Sequence, residues 1–182
     1  MQIYKTEGII IKNRDFGEAD RILSIYTKKF GKIRIVAKGV RRVHSRRCGS
    51  LEIFNYASLT LSEGKDLDYL GEVDLLESFP NLRKDLKKIG LAYYMCELID
   101  SLCPEKQENS EIFVLFYSLL KRLDQIEKQD NHYSIKKFTI ELLQLTGYLE
   151  KEKDYQKTNI KNFVEEIIQK KIKSDRILKL LA

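Results

Sequence analysis

The spacing of apolar residues changes once along the chain, near Pro80. Before it, apolar and polar positions follow each other in short runs. Residues 8–12 are apolar, residues 21–27 (RILSIYT) are rich in β-formers, and residues 32–38 alternate. In that third run Ile33, Ile35 and Ala37 fall on one face and Lys32, Arg34 and Lys38 on the other, with Val36 the one apolar residue on the basic side. Lys28-Lys29-Phe30-Gly31 reads as a hairpin turn in which Gly31 is free to take positive φ. Alternation resumes at residues 58–61, and residues 67–73 follow the turn Glu63-Gly64-Lys65-Asp66. Five strands in roughly 75 residues, with the longest connection after the third, predict a small, partly open barrel of the OB-fold kind.

Beyond Pro80 the period becomes helical. Leu86, Leu91, Tyr94, Met95, Leu98 and Leu102 belong to a helix that is apolar over much of its girth, hence central and covered on several sides. Pro104 follows its end. Asn109 and Ser110 can cap a second helix carrying Ile112, Leu115, Phe116, Leu119, Leu123 and Ile126. A third covers residues 134–147, with Ile135, Phe138, Leu142 and Leu145 on one stripe. The last covers residues 160–181 and breaks near Lys173-Ser174-Asp175. The expected fold class is therefore α+β: an N-terminal five-stranded OB-fold β-barrel at residues 1–79, then an all-α helical domain at residues 80–182.

Charge changes the picture in one place. The net charge is +6 over 182 residues, but residues 21–51 contain ten Lys or Arg and no acid. Within them KGVRRVHSRRCG, residues 38–49, carries Lys38, Arg41, Arg42, Arg46 and Arg47. Charge segregated in this way makes a local field that attracts a polyanion, where dispersed charge mainly serves solubility. Cations on one strand face plus an arginine-rich loop can neutralise several phosphates and release their counterions. Tyr26, Phe30, Phe54 and Tyr56 are interleaved, and an exposed aromatic beside cations is what single-strand binding uses. Phe54 and Tyr56 read more naturally as barrel core, while Phe30 fits either place. A solvated loop remains the plain alternative for the charge run.

Enzyme signatures are thin. His44 and His132 stand near no nucleophile motif, there is no Walker A sequence, and no glycine-rich cradle is present. Cys48, Cys96 and Cys103 form no C-x-x-C pair, and Cys96 and Cys103 read as buried thiols in an apolar helix. Neither catalysis, a cofactor nor a metal is expected. No apolar run approaches the roughly 18 residues of a membrane span. The first residues lack the apolar core of a secretion signal, so the cytoplasm is the expected location.

Three strings carry a resemblance: GIIIKNRDFGEADR at residues 8–21, GKIRIVAKGVRR at residues 31–42, and LEIF at residues 51–54, with LLESFP following at residues 75–80. In this order they resemble the RecO family of bacterial DNA repair and recombination mediators. FTIELLQLTGY at residues 138–148 and KIKSDRIL at residues 171–178 extend the likeness more weakly. The resemblance implies an OB-fold followed by a helical domain, and binding of single- and double-stranded DNA. It also implies annealing of complementary strands, and work with RecR to load RecA onto strands coated by the single-strand binding protein SSB.

Carried over by position, Lys38, Arg41 and Arg42 become DNA contacts. Lys32, Arg34, Arg46, Arg47 and Phe30 join them by the strand-face and loop reading above. The C-terminal tail of SSB, acidic and apolar, docks on the helical domain in this family; Lys121 and Arg122 are the candidates here, against a solvated helix face. Arg14, Asp15, Glu18, Asp20 and Arg21 read as ion pairs that fix the first loop. Many members of the family place four zinc-binding cysteines after L-x-G-Y, but Leu145-Thr146-Gly147-Tyr148 is followed by no cysteine. A short form without zinc is expected, located in the cytoplasm with the nucleoid. An RNA-binding OB module, or a scaffold that joins repair proteins without binding DNA itself, remains open on the residues alone.

Overall fold

The computed structural model describes residues 2–125, 131–155 and 158–174, with only the backbone of 131–134. Two compact units divide the chain: residues 1–79 together with 104–113, and residues 80–103 together with 114–182.

The first unit is a closed five-stranded barrel with the strand order β1-β2-β3-β5-β4. Its strands are β1 (Ile3–Phe16), β2 (Asp20–Thr27), β3 (Gly31–Ala37), β4 (Tyr56–Ser62) and β5 (Asp68–Glu77). Closure depends on β1, which is far longer than the apolar run at residues 8–12 suggests. Its first half pairs with β4 (Ile3↔Ser62 to Ile9↔Tyr56) and its second half with β2 (Gly8↔Thr27 to Phe16↔Asp20). An irregularity between Ile10 and Lys12 lets the strand bend from one partner to the other. The remaining seam is a parallel β3–β5 ladder at Ile35↔Asp68 and Val36↔Tyr69. The barrel is thus closed where a partly open one was expected.

Alternation places the core as the sequence implies. Ile10, Leu23, Ile25, Ile33, Ile35, Ala57, Leu59 and Leu61 fill the barrel and are fully or almost fully buried. Each such leucine or isoleucine contributes about 1.5–3 kcal/mol relative to exposure. Val40 and Leu51, from the long connection after β3, enter the same core. At the β2–β3 turn Gly31 adopts φ +62, and Thr27 Oγ donates 2.8 Å to the Gly31 carbonyl.

Residues 104–113 return to the barrel from beyond the first helix. Glu105 forms a parallel bridge with Lys32, and the Lys106 N–H donates 2.8 Å to the Lys32 carbonyl. Tyr26 Oη donates 3.3 Å to the Asn109 carbonyl, and Phe113 packs against Tyr56 with ring centroids 5.8 Å apart. The approach is close enough that a Cβ on Gly31 would stand 1.8 Å from the Gln107 carbonyl oxygen.

The helices are α1 (Leu86–Leu102), α2 (Ser110–Gln125), α3 (Asn131–Leu145) and α4 (Ile160–Ile168). Asp85 caps α1 by accepting from the Lys87 and Lys88 N–H groups, and Asn109 caps α2 by accepting 3.1 Å from Ile112 N. Caps of this kind contribute about 1 kcal/mol each. As its composition implies, α1 is buried on most sides, with Leu91, Tyr94, Met95, Leu98 and Ile99 all inside. Cys96 and Cys103 are buried thiols, and burial pushes the Cys96 thiol well above its ordinary pKa. The last helix ends earlier than its apolar pattern suggests. Gln169 takes a left-handed conformation (φ 51), and the Glu97 carboxylate captures the Lys173 and Ser174 N–H groups at 2.8 Å each. Ile126 and residues 175–181 of the expected helices lie outside the described residues.

Candidate nucleic-acid interface

Residues 38–49 form a run of consecutive tight turns rather than an extended loop. Arg42 N–H donates to Gly39 O, Ser45 N–H to Arg42 O, and Leu51 N–H to Cys48 O. Asn55 Nδ2 reaches the Gly49 and Ser50 carbonyls at 2.9 and 3.2 Å. With Val40 and Leu51 buried in the barrel at either end, the segment is anchored as a lid.

Its near side rests on the β1–β2 turn. Asp20 accepts 2.7 Å from the Gly39 N–H, and Arg41 N–H donates 2.9 Å to Ala19 O. Asp15 pairs with both Arg21 (3.2 Å) and Arg41 (3.4 Å), so of the ion pairs expected in the first loop Asp15–Arg21 is present, and Asp15 reaches the basic loop as well. Arg47 is a staple on the far side: its guanidinium donates 3.0 Å to Gly71 O on β5 and 2.8 Å to Lys38 O.

The cations therefore divide by task. Lys38, Arg41, Arg42 and Arg46 are exposed together at this end of the barrel. Arg42 and Arg46 have no side-chain hydrogen bond or ion pair among the described residues. Arg41 is tethered and Arg47 is spent on backbone carbonyls. Val43, between the arginines, is 95% exposed.

Two expected members are not part of this cluster. Lys32 does point outward as alternation requires, but it is only 7% exposed, because residues 104–113 lie along that edge of β3. It is not a surface cation. Phe30, 37% exposed and edge-on to Tyr4 with centroids 5.0 Å apart, sits at the opposite end of the β2–β3 hairpin. Seven strand residues, about 23 Å, separate it from the basic loop. Arg34 is exposed but ion-paired with Glu105 at 2.7 Å.

The interleaved aromatics are largely committed to packing. Tyr26 and Phe54 are buried. Half-buried Tyr56 hydrogen-bonds Glu7 and lies on the outer face against Phe113, not in the barrel core. The aromatic ring that does stand beside the basic loop is Tyr69, with Lys38 Nζ 4.6 Å from its centroid. Sequence reasoning passed over it, since only the long-range Val36↔Tyr69 pairing brings it there.

A family model described as "Recombination protein O N terminal" matches residues 1–79, and one described as "Recombination protein O C terminal" matches residues 83–149. The chain belongs to the RecO family. Proteins named DNA repair protein RecO are similar over most of it. The one from Roseiflexus sp. (strain RS-1) is 38% identical over 147 residues, 81% of this chain and 51% of that protein. The one from Symbiobacterium thermophilum is 34% identical over 148 residues, 81% and 58% of the two chains. The one from Dehalococcoides mccartyi is 39% identical over 145 residues, 80% and 56%. The chain thus spans about half the length of the curated relatives it matches.

The N-terminal RecO match covers the barrel strands and the whole basic loop; the C-terminal match covers α1, α2 and α3. Lys121 and Arg122 lie exposed near the end of α2, and Lys121 Nζ is 5.6 Å from the Tyr117 ring centroid. Among the described residues no helix is long and apolar enough to cross a membrane, and no cluster of His, Cys, Asp or Glu is placed to hold a metal ion.

Proposed function

We propose that this RecO-family chain is a non-enzymatic DNA-binding mediator of recombination, with residues 38–49 as its phosphate-binding surface. The observation that carries the reading is the state of Arg42 and Arg46: both are exposed, both lie on a loop held by internal hydrogen bonds, and neither is ion-paired among the described residues. Lys38 and Arg41 add charge at the same end, and Arg47 keeps the loop in shape. Arg34, partly neutralised, and Phe30, at the other end of the hairpin, are peripheral contacts; buried Lys32 is not one.

Phosphate contacts carry little sequence information, so single- and double-stranded DNA are both bound. Two strands held by their phosphates repel each other less, and base pairing then does the recognising. On this reading the chain anneals complementary strands in the bacterial cytoplasm, at the nucleoid, and acts with RecR to help load RecA on SSB-coated DNA. The barrel unit carries the DNA and the helical unit the partners. Exposed Lys121, beside the Tyr117 ring, and exposed Arg122 suit the acidic, apolar tail of SSB. Tail-peptide binding that survives Lys121→Glu with Arg122→Glu removes that site.

The test is annealing of two complementary labelled oligonucleotides by the wild type and by a Lys38→Glu, Arg42→Glu, Arg46→Glu variant. Arg41 and Arg47 are left in place because they hold the loop. Annealing lost in a variant that stays folded by circular dichroism is the expected result. Annealing that survives places the DNA site elsewhere, and none by either protein favours a scaffold. A ribo-oligonucleotide competitor that outdoes its deoxy counterpart favours an RNA specialist.

A further inference from the structure

Tyr69 is the second residue of β5 and points away from the barrel core, since its neighbour Leu70 points in. Its pairing with Val36 puts it on the same outer surface as Lys38, two residues after Val36 and just past the end of β3. The ring has a built seat. On one side is Gly64 of the β4–β5 turn, where a Cβ would stand 2.9 Å from Tyr69 Cε2. A glycine there lets the ring lie against the turn. The turn is held by Asp68, which accepts 3.2 Å from the Gly64 N–H and also receives the Tyr4 hydroxyl. The Lys38 ammonium covers the ring at 4.6 Å from its centroid.

An aromatic face beside unpaired cations is the arrangement that accepts a base next to its phosphate. Lys38 is itself exposed, and an exposed cation over a ring is weakly held, so a phosphate can draw it aside. We propose that Tyr69 is a stacking platform for an unpaired base, covered by Lys38 in the free protein and uncovered when a DNA phosphate takes the Lys38 ammonium. The ligand is a single strand, because a duplex offers no open base face. This rests on the DNA-binding reading above and adds what separates single strands from duplex at the same loop.

The experiment uses the full chain and fluorescence anisotropy with a labelled oligothymidylate and a duplex of equal length. Tyr69→Leu weakens single-strand binding about fivefold or more. Duplex affinity changes far less, and the salt slope is unchanged because stacking releases no counterions. Tyr69→Phe restores the single-strand affinity. The chain contains no tryptophan, so Tyr69→Trp supplies a single reporter. Its emission is quenched by oligothymidylate and not by inorganic polyphosphate. Equal losses on both DNAs, no loss on either, or unquenched emission with oligothymidylate bound overturns the platform while leaving the phosphate loop standing. A wild type that binds neither DNA overturns both. Should Tyr69→Leu fail to fold, the tryptophan reporter decides alone.

Discussion

Neutralising Arg42 and Arg46 tests the phosphate surface with the least disturbance to the fold, because neither side chain is hydrogen-bonded or ion-paired among the described residues. Four exposed cations belong to the basic loop: Lys38, Arg41, Arg42 and Arg46. If each neutralises one phosphate of a duplex, log K falls against log salt with a slope of about −3.6. Between 50 and 200 mM salt that is a loss of about 150-fold in affinity. Arg42→Gln with Arg46→Gln removes two of the four, so the slope becomes about −1.8 and the same salt step costs only about 12-fold. Anisotropy titrations of one labelled duplex at four or five salt concentrations measure both slopes. On single strands both are shallower, because fewer counterions are released per phosphate. A double variant whose slope matches the wild type refutes the assignment, whatever its affinity at a single salt concentration.

Other perturbations read other parts of the molecule. Arg47→Met removes two carbonyl contacts and no free charge, so amide exchange across residues 38–49 rises and DNA affinity falls several-fold, with the salt slope nearly unchanged. Gly31→Ala places a Cβ against the Gln107 carbonyl in a left-handed conformation, and urea denaturation shows a loss above about 2 kcal/mol. For Glu97, burial pushes the pKa up, but the Ser174 hydroxyl and the Lys173 and Ser174 amides outweigh it and hold the carboxyl below the ordinary glutamate range. A depressed folded value gives stability that is present above the unfolded pKa of about 4.3 and lost as pH falls through the folded one. Glu97→Gln therefore lowers the thermal midpoint at pH 7, and the gap from wild type narrows on acidification below about pH 4; a gap that is constant with pH contradicts this.

The local parts of this molecule were readable from its residues. Alternation at residues 32–38 assigned inward and outward positions correctly, Gly31 took the positive φ its turn needs, and the Asp15–Arg21 pair formed within one hairpin. The unread parts share a cause, which is distance along the chain. Alternation says which side of a strand a lysine leaves from, but not whether a segment some seventy residues later covers it, as one does at Lys32. Tyr69 stands beside Lys38 only through a two-residue parallel ladder, which leaves no periodic trace in either strand. Phe30 and Arg42 are close in sequence yet occupy opposite ends of a hairpin, because a strand carries the chain straight from one end to the other.

The covering of β3 by residues 104–113 sets an order of events during synthesis. The barrel strands end at Glu77, but the segment that buries Lys32 and receives the Tyr26 hydroxyl leaves the ribosome only after the whole of α1 has been made. A nascent chain cut at Phe79 has every strand but lacks the segment that covers Lys32 and accepts the Tyr26 hydroxyl. The last hydrogen bonds of the first unit thus wait for the first helix of the second, and a gene fragment ending at residue 79 encodes a barrel without its covering segment.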